Sequence, residues 1–190
     1  ELIDDSSSIA VIPSEIAKAD SLLAGAGLYY ALTQREKDVS LVYMGQIPDE
    51  YQKVIEPGQV TNDVYSRKLS ISIDYSDTPA SKLAYSNENN VLKLILSPVS
   101  KDFDLTKIKT EIQGHDFDLI FTLGAQSPED LGVVGSELHD SFAKAKIVNI
   151  DNTNMNTQYG SINVVDTSAS NLSTIVFNLL SLSGILPDTK

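Results

Sequence analysis

The sequence predicts an α/β fold: three layers, with a mostly parallel sheet, helices on both of its faces and a β-hairpin insertion. Three observations carry this. Short apolar runs at residues 9–12, 118–123 and 147–150 are too brief for helices and read as buried strands. Longer stretches with a helical period separate or follow them. The clearest is Leu172, Ile175, Val176, Leu179 and Leu180, spaced i, i+3, i+4, i+7, i+8. Between the strand at 38–44 and the one at 118–123, residues 69–75 alternate apolar and polar positions, the period of a half-exposed strand, and open the hairpin insertion that runs to about 98.

In chain order, the strand at 9–12 leads through a loop into a helix from about 21 to 36. Its buried face is expected to carry Leu22, Ala26, Tyr29, Tyr30 and Thr33. Gly25 and Gly27 lower helix propensity but let a helix approach a sheet closely. Gly25-Ala26-Gly27 is not a dinucleotide fingerprint, because it lies inside the helix and lacks a third glycine. A strand follows at 38–44, then a polar stretch at 48–65 with a Pro57-Gly58 turn. Segments 69–75, 82–86 and 91–97 read as strands, the last two flanking Asn87-Glu88-Asn89-Asn90 as a hairpin turn.

Residues 105–112 read as a short helix. After the strand at 118–123, Ser127-Pro128-Glu129-Asp130 has the signature of a helix start: a cap, a proline at the first position, and acids facing the positive end of the helix dipole. That helix is expected to run to about Phe142. The strand at 147–150 ends on Asp151, a polar loop follows, and a last strand at 162–165 ends on Asp166. Ser168 or Thr167 is placed to cap the final helix. In an open α/β sheet, ligands gather beyond the carboxyl ends of the strands, so Asp151 marks the region where chemistry is expected.

Composition bounds the partners. The 190 residues are enough for one domain with a real core, with or without a modest insertion. No apolar run approaches the roughly 18–20 residues of a membrane-spanning helix, so no membrane partner is expected. Absence of cysteine excludes disulfides and thiolate chemistry. The 14 basic residues against 26 acidic ones, a formal charge of −12, argue against stable binding to duplex nucleic acid, which needs many phosphate contacts from Lys and Arg. A small anion in a local pocket is compatible with that charge. His115 and His139 read as solvated surface residues, and nothing brings a serine to either.

The stretch from Lys144 to Leu180 resembles the third motif region of the DHH phosphoesterase superfamily, in its oligoribonuclease and pAp-phosphatase branch. The residues that match are Asn149, Ile150, Asp151, Asn156, Tyr159, Gly160, Ile162, Asn163, Val165, Asp166, Ala169 and Ser170. Gly27, Leu28, Tyr29, Ala31 and Leu32 fit the helix after the family's first motif, and Leu119, Ile120 and Leu123 fit its next strand. The ligand tips differ. Asn152 and Thr153 stand where the family has its paired histidines, Lys18 stands for its first aspartate, and Gly124 for the aspartate that bridges two metals. Ser14 lies about where many members have an upstream histidine. Asp20 and Asp151 alone survive as carboxylates.

The resemblance implies a DHH-type α/β domain over residues 1–190, with the hairpin insertion at about 69–98. It implies Mn²⁺ or Mg²⁺ as the family's cofactor, although none is expected here; a cytoplasmic location is expected. It also implies a smaller C-terminal domain that clamps substrate, which this chain does not include. A two-metal site places cations roughly 3.5–4 Å apart and needs several anionic or imidazole ligands for each. Two carboxylates beside a lysine do not meet that need, so no metal is expected to bind at Ser14, Lys18, Gly124 or Asn152.

The expected function is a catalytically degenerate binding or structural module, with at most a residual nucleotide or phosphate pocket at Lys18, Asp20, Asp151, Asn152 and Thr153. In that pocket Lys18 either faces a ligand phosphate or neutralises the leftover carboxylates. Two other classes stand beside this. One is a metal-dependent phosphodiesterase or oligoribonuclease acting on short oligonucleotides or pAp, with Asp20 and Asp151 catalytic. The other is a protein-interaction domain that forms a homodimer.

Overall fold

The structure is a computed structural model that describes residues 2–62, 68–77, 80–100, 102–114 and 116–185. The chain forms two compact units, one of residues 1–67 with 114–190 and one of residues 68–113.

The larger unit begins with a short helix α1 (Leu2–Asp5), then strand β1 (Ser8–Pro13), helix α2 (Lys18–Thr33), strand β2 (Asp38–Val42) and the short strand β3 (Val60–Thr61). In the smaller unit are β4 (Lys68–Ile73), β5 (Lys82–Glu88), β6 (Val91–Ser97) and β7 (Ile108–Gln113). The chain then returns to the larger unit with β8 (Leu119–Leu123), α3 (Gly132–Glu137), α4 (His139–Lys144), β9 (Lys146–Asp151), β10 (Ile162–Val165) and α5 (Leu172–Leu182).

Six strands form one sheet in the order β10-β9-β8-β1-β2-β3, every pair parallel. Alternating residues of each strand point to opposite faces, and this divides the core in two. Ile9, Val11, Leu119, Phe121 and Leu123 pack with Leu22, Leu28 and Leu32 of α2 and Leu172, Ile175 and Leu180 of α5. On the other face Ala10, Ile12 and Ile120 pack with Leu131, Val134 and Leu138 of the 128–144 segment. The three-layer, mostly parallel α/β fold is therefore observed. With both faces covered, the strands need no polar alternation. That is why 9–12, 118–123 and 147–150 read as mainly apolar runs.

Helix α2 is buried on more than one side. Besides Leu22 and Ala26, it buries Leu28, Ala31 and Leu32, whereas Tyr29 and Tyr30 are half-buried and Thr33 is exposed. It spans 18–33 rather than 21–36, because Lys18 already enters the helix. A methyl group added at Gly25 would lie 2.6 Å from Cγ of Pro13, so the close approach of helix to sheet requires glycine there. At Gly27 nothing lies within 4 Å, and its lack of a side chain serves no contact.

Other expectations need correction. The segment 105–112 is not a helix: a single 3-10 turn at Leu105–Lys107 leads into β7, which pairs antiparallel with β4. Ile108, Thr110 and Ile112 alternate with Lys109 and Glu111 there, a period of two that outweighs helix propensity. The single helix expected from 127 to 142 is a 3-10 turn (Pro128–Leu131) followed by α3 and α4, interrupted at Gly132, whose φ is +55°. The cap of α5 is Asn171, whose side chain accepts the Thr174 N–H at 2.8 Å. Ser168 instead donates to Asp166 through both its N–H and its hydroxyl.

The smaller unit consists of two antiparallel pairs, β4 with β7 and β5 with β6. The β5–β6 turn is the two residues Asn89 and Asn90, with φ of +54° and +62°. Positive φ at both positions is the type I′ turn whose twist suits a tight hairpin, and asparagine tolerates that conformation.

Candidate functional site

The strand order fixes where a site belongs. From β1 the sheet grows by β2 and β3 on one side and by β8, β9 and β10 on the other. The connections change direction between β1 and β8, and in such sheets the ligand crevice lies beyond the carboxyl ends at that switch point. Ser14 follows β1 and Gly124 follows β8. These two expected site positions flank the switch, and Asp151 closes the neighbouring strand.

Each position has structural employment. The Ser14 hydroxyl is buried, donating to the Asp130 carbonyl at 3.3 Å and accepting the Ile16 N–H at 3.2 Å. Gly124 has φ +68°, and its N–H donates to the Ile150 carbonyl at 2.9 Å, continuing the β8–β9 ladder. A Cβ at Gly124 would lie 2.6 Å from Cβ of Ala17 and 2.9 Å from Cδ1 of Leu172. The loop before α2 and the first residue of α5 fill the space where a bridging aspartate would project.

Asp151 is 1% exposed, and both its oxygens are engaged. Oδ1 accepts the Asn152 N–H at 2.8 Å; Oδ2 accepts the Thr153 hydroxyl at 2.7 Å and Nδ2 of Asn156 at 2.8 Å. Asp20, in the first turn of α2, directs both oxygens to the Leu172 N–H, at 3.1 and 3.0 Å. That N–H begins α5, where the helix leaves donors unpaired and favours negative charge. Asn152 donates to the Ala169 carbonyl at 3.3 Å. Lys18 is exposed, has φ +51°, and forms no ion pair with Asp20 or Asp151.

Sequence reasoning matched Asn149, Asn156, Tyr159, Gly160 and Asn163 to a motif but gave them no task. The structure joins Asn149, Asn156, Gly160 and Asn163 in one network and gives Tyr159 a separate bond to β8. Asn149, fully buried, donates to Oδ1 of Asn156 at 2.7 Å and Oδ1 of Asn163 at 3.1 Å. Asn156 also donates to the Ala125 carbonyl at 3.0 Å, tying the 152–161 loop to the segment after β8. Asn163 accepts the Gly160 N–H at 3.0 Å and donates to its carbonyl at 2.8 Å. Gly160 must be glycine, since a Cβ there would come within 2.7 Å of the Ile162 carbonyl. Tyr159 donates to the Thr122 hydroxyl at 2.7 Å, and burial pushes its phenol pKa well above the usual tyrosine range. Thr122 and Leu172 are members that sequence reasoning missed; one lies in an apolar strand and the other acts through its backbone.

A cleft of about 270 Å³ does open beside the end of β1, lined by Pro13, Ser14, Ile16, Met44 and Leu131 among others. Its charged lining is Glu15, Glu129 and Asp130. Three carboxylates without a cation suit no phosphate. Asp130 is moreover occupied, its Oδ2 accepting the N–H groups of Gln126 and Ser127 at 2.9 and 3.2 Å. His139 is exposed on α4, and His115 lies outside the described residues.

The residues present do not fit the Mn²⁺ or Mg²⁺ pair that the resemblance implies. Among the described residues no three His, Asp or Glu side chains converge. The two surviving carboxylates already accept protein donors, and the bridging position has no side chain and no room for one.

No protein-family model matches this chain. No curated protein matches it either. Among solved structures, the crystal structure of an exopolyphosphatase-related protein from Bacteroides fragilis shares the fold, with a TM-score of 0.63 over 97% of this chain at 14% identity. This chain spans 42% of the length of that one. At such identity the likeness speaks for the α/β fold alone. No helix among the described residues is long and apolar enough to cross a membrane.

Proposed function

We propose that the larger unit is a DHH-type phosphoesterase scaffold whose metal site has been converted into internal hydrogen bonds, leaving a binding or structural module that does not hydrolyse phosphoesters. The observation that carries this is Gly124: a left-handed glycine at which an added Cβ would lie 2.6 Å from Cβ of Ala17, at the point where the family bridges two metals. The shared fold with an exopolyphosphatase-related protein supports the scaffold half of the reading. The engaged oxygens of Asp20 and Asp151 support the degenerate half. Without paired cations to activate water and neutralise developing phosphate charge, hydrolysis loses its main source of acceleration.

What remains for an anion is Lys18, exposed at the start of α2 and free of both carboxylates. A nucleotide or free phosphate would meet a single lysine there, without the bidentate donors that make phosphate recognition strong. Weak, salt-sensitive binding is the expected ceiling.

The test is calorimetric titration of the chain with Mn²⁺, repeated in the presence of pAp or a dinucleotide. A parallel assay follows release of mononucleotides from a short oligonucleotide and of phosphate from polyphosphate. The expected result is no two-ion uptake and no release from any of the substrates. Micromolar binding of two ions, together with release that disappears in Asp151→Ala, would overturn the reading in favour of a metal-dependent phosphodiesterase.

A further inference from the structure

The smaller unit exposes more apolar surface than its architecture can stabilise alone. Residues 82–97 form one two-stranded hairpin, and among the described residues no further strand pairs with either of its edges. On one face Leu83, Tyr85, Leu92 and Leu94 are 44–77% exposed, beside a half-buried Leu96. An isolated two-stranded hairpin is marginal in water, and three or more strands with an apolar face are needed for independent stability. We propose that β5 pairs with β5 of a second copy of this chain, antiparallel about a two-fold axis through Tyr85, giving a continuous four-stranded sheet.

The register follows from the turn. A two-residue type I′ turn makes Glu88 and Val91 a hydrogen-bonded pair, and such pairs alternate along the ladder. Glu88, Ser86, Ala84 and Lys82 therefore spend their backbone groups on β6, while Asn87, Tyr85 and Leu83 turn theirs to the open edge. A two-fold axis must relate outward residues to one another. An axis at Leu83 or Asn87 overlaps only part of the strand. The axis at Tyr85 pairs all seven residues of β5, Lys82 to Glu88.

That register is self-complementary in charge. It sets Lys82 opposite Glu88 of the second copy, twice, with Ala84 opposite Ser86, Leu83 opposite Asn87, and the two Tyr85 rings side by side. Opposite charges and aromatic residues directly across a strand pair stabilise it. The other open edge, β6, reads Val91-Leu92-Lys93-Leu94-Ile95-Leu96-Ser97. An axis at Leu94 there brings no opposite charges together and sets the two Lys93 on a diagonal. A lysine guarding an edge is the usual device against pairing.

Net charge points to the same occupant. Segment 68–113 holds six lysines and six Asp or Glu residues, so the formal charge of −12 falls entirely on the rest of the chain. Two identical chains repel everywhere except at this neutral unit. A polyanion or an anionic membrane would find no excess of cations on it.

The experiment measures the mass of the full chain by light scattering across a concentration series, for the wild type and for Lys82→Glu, Glu88→Lys and the double variant. Each single reversal puts like charges across the axis in both places, and the double variant restores opposite ones. The expected result is a dimer for the wild type, loss of dimer in each single variant, and its recovery in the double. A second measurement uses the absence of cysteine. Hydrogen-bonded antiparallel partners lie about 5.5 Å apart at Cα, within disulfide range. Oxidised Tyr85→Cys should form a covalent dimer where Leu94→Cys does not. A monomeric wild type at about 100 μM, well above the micromolar range of many specific contacts, would overturn the proposal and assign the edge to a different chain. A dimer indifferent to both charge reversals, or cross-linking at Leu94 rather than Tyr85, would overturn it as well.

Discussion

The carboxylate of Asp20 reaches across 152 positions of sequence to accept the backbone N–H of Leu172 at 3.0 and 3.1 Å. One of the two carboxylates singled out by the resemblance thus ties the start of α2 to the start of α5. The two helices pack on the same face of the sheet, so this bond fixes one end of their contact. Asp20→Ala should destabilise the fold by about 1–2 kcal/mol, the range for losing a charged acceptor at a helix start. Asp20→Asn should fall between. Urea unfolding with and without Mn²⁺ checks this: metal should leave all three proteins unchanged. Stabilisation of the wild type alone by Mn²⁺ would instead make Asp20 a ligand.

Gly124 gives the complementary test, because introducing the aspartate that the resemblance expects there should harm the fold. A side chain at φ +68° carries about 1–2 kcal/mol of backbone strain. Contacts of 2.6 and 2.9 Å with Ala17 and Leu172 add an overpacking cost of about 1–3 kcal/mol. Both Gly124→Ala and Gly124→Asp should therefore lower stability by about 2 kcal/mol or more. A Gly124→Asp protein with wild-type stability that takes up Mn²⁺ would contradict the structural role of this glycine.

The layers of the fold were legible because burial on both faces leaves a plain signature: mainly apolar runs at 9–12, 118–123 and 147–150 that a covered sheet explains. The α5 stripe was legible for the same reason, with Leu172, Ile175, Val176 and Leu180 buried as its spacing requires. Residues 105–112 misled because the segment joins a 3-10 turn at Leu105–Lys107 to a strand whose alternation begins only at Ile108, and neither Ile108 nor Ile112 is buried to reinforce it. That Lys18, Gly124, Asn152 and Thr153 depart from the motifs this chain resembles could be read from residue identity. The contacts around them could not. The engagement of Asp20 by Leu172 and of Tyr159 by Thr122 depends on positions brought together only by the sheet order, and no local spacing announces either.

Within the 152–161 loop, Asn156 is the shared node. Its truncation to alanine would leave the Ala125 carbonyl, one oxygen of buried Asp151 and the Asn149 amide without this partner at once. A buried group left bare costs about 1–3 kcal/mol, and less is lost at Asp151 and Asn149, which keep Thr153 and Asn163 as partners. Asn156→Ala should cost about 2–4 kcal/mol and speed amide hydrogen exchange in 152–161 before the sheet opens. Asp151→Asn should also destabilise, by about 2 kcal/mol, since three donors converge on the carboxylate and an amide would turn its own N–H groups toward one of them. An Asn156→Ala protein with unchanged stability would show that the motif frame is not held by this network.

Tyr159 makes its own anchor on β8, the bond to Thr122, sensitive to alkaline pH. Burial raises the pKa of its phenol in the folded state, while the unfolded chain ionises near 10. Above that pH the folded state holds more protons than the unfolded state, so stability falls as pH rises toward the folded value. Below about pH 10 the contribution is fully present. Tyr159→Phe keeps the ring, loses the 2.7 Å bond to Thr122 and removes the titration. At pH 7 the variant should be less stable by about 1 kcal/mol, the net value of one such bond. As the pH is raised past about 10, the wild type should lose stability faster and the gap should narrow. The measurement is urea unfolding of both proteins at a series of pH values from neutral to alkaline. A gap that stays constant throughout would mean that Tyr159 ionises alike in the folded and unfolded chains, and that its hydroxyl is not enclosed beside Thr122.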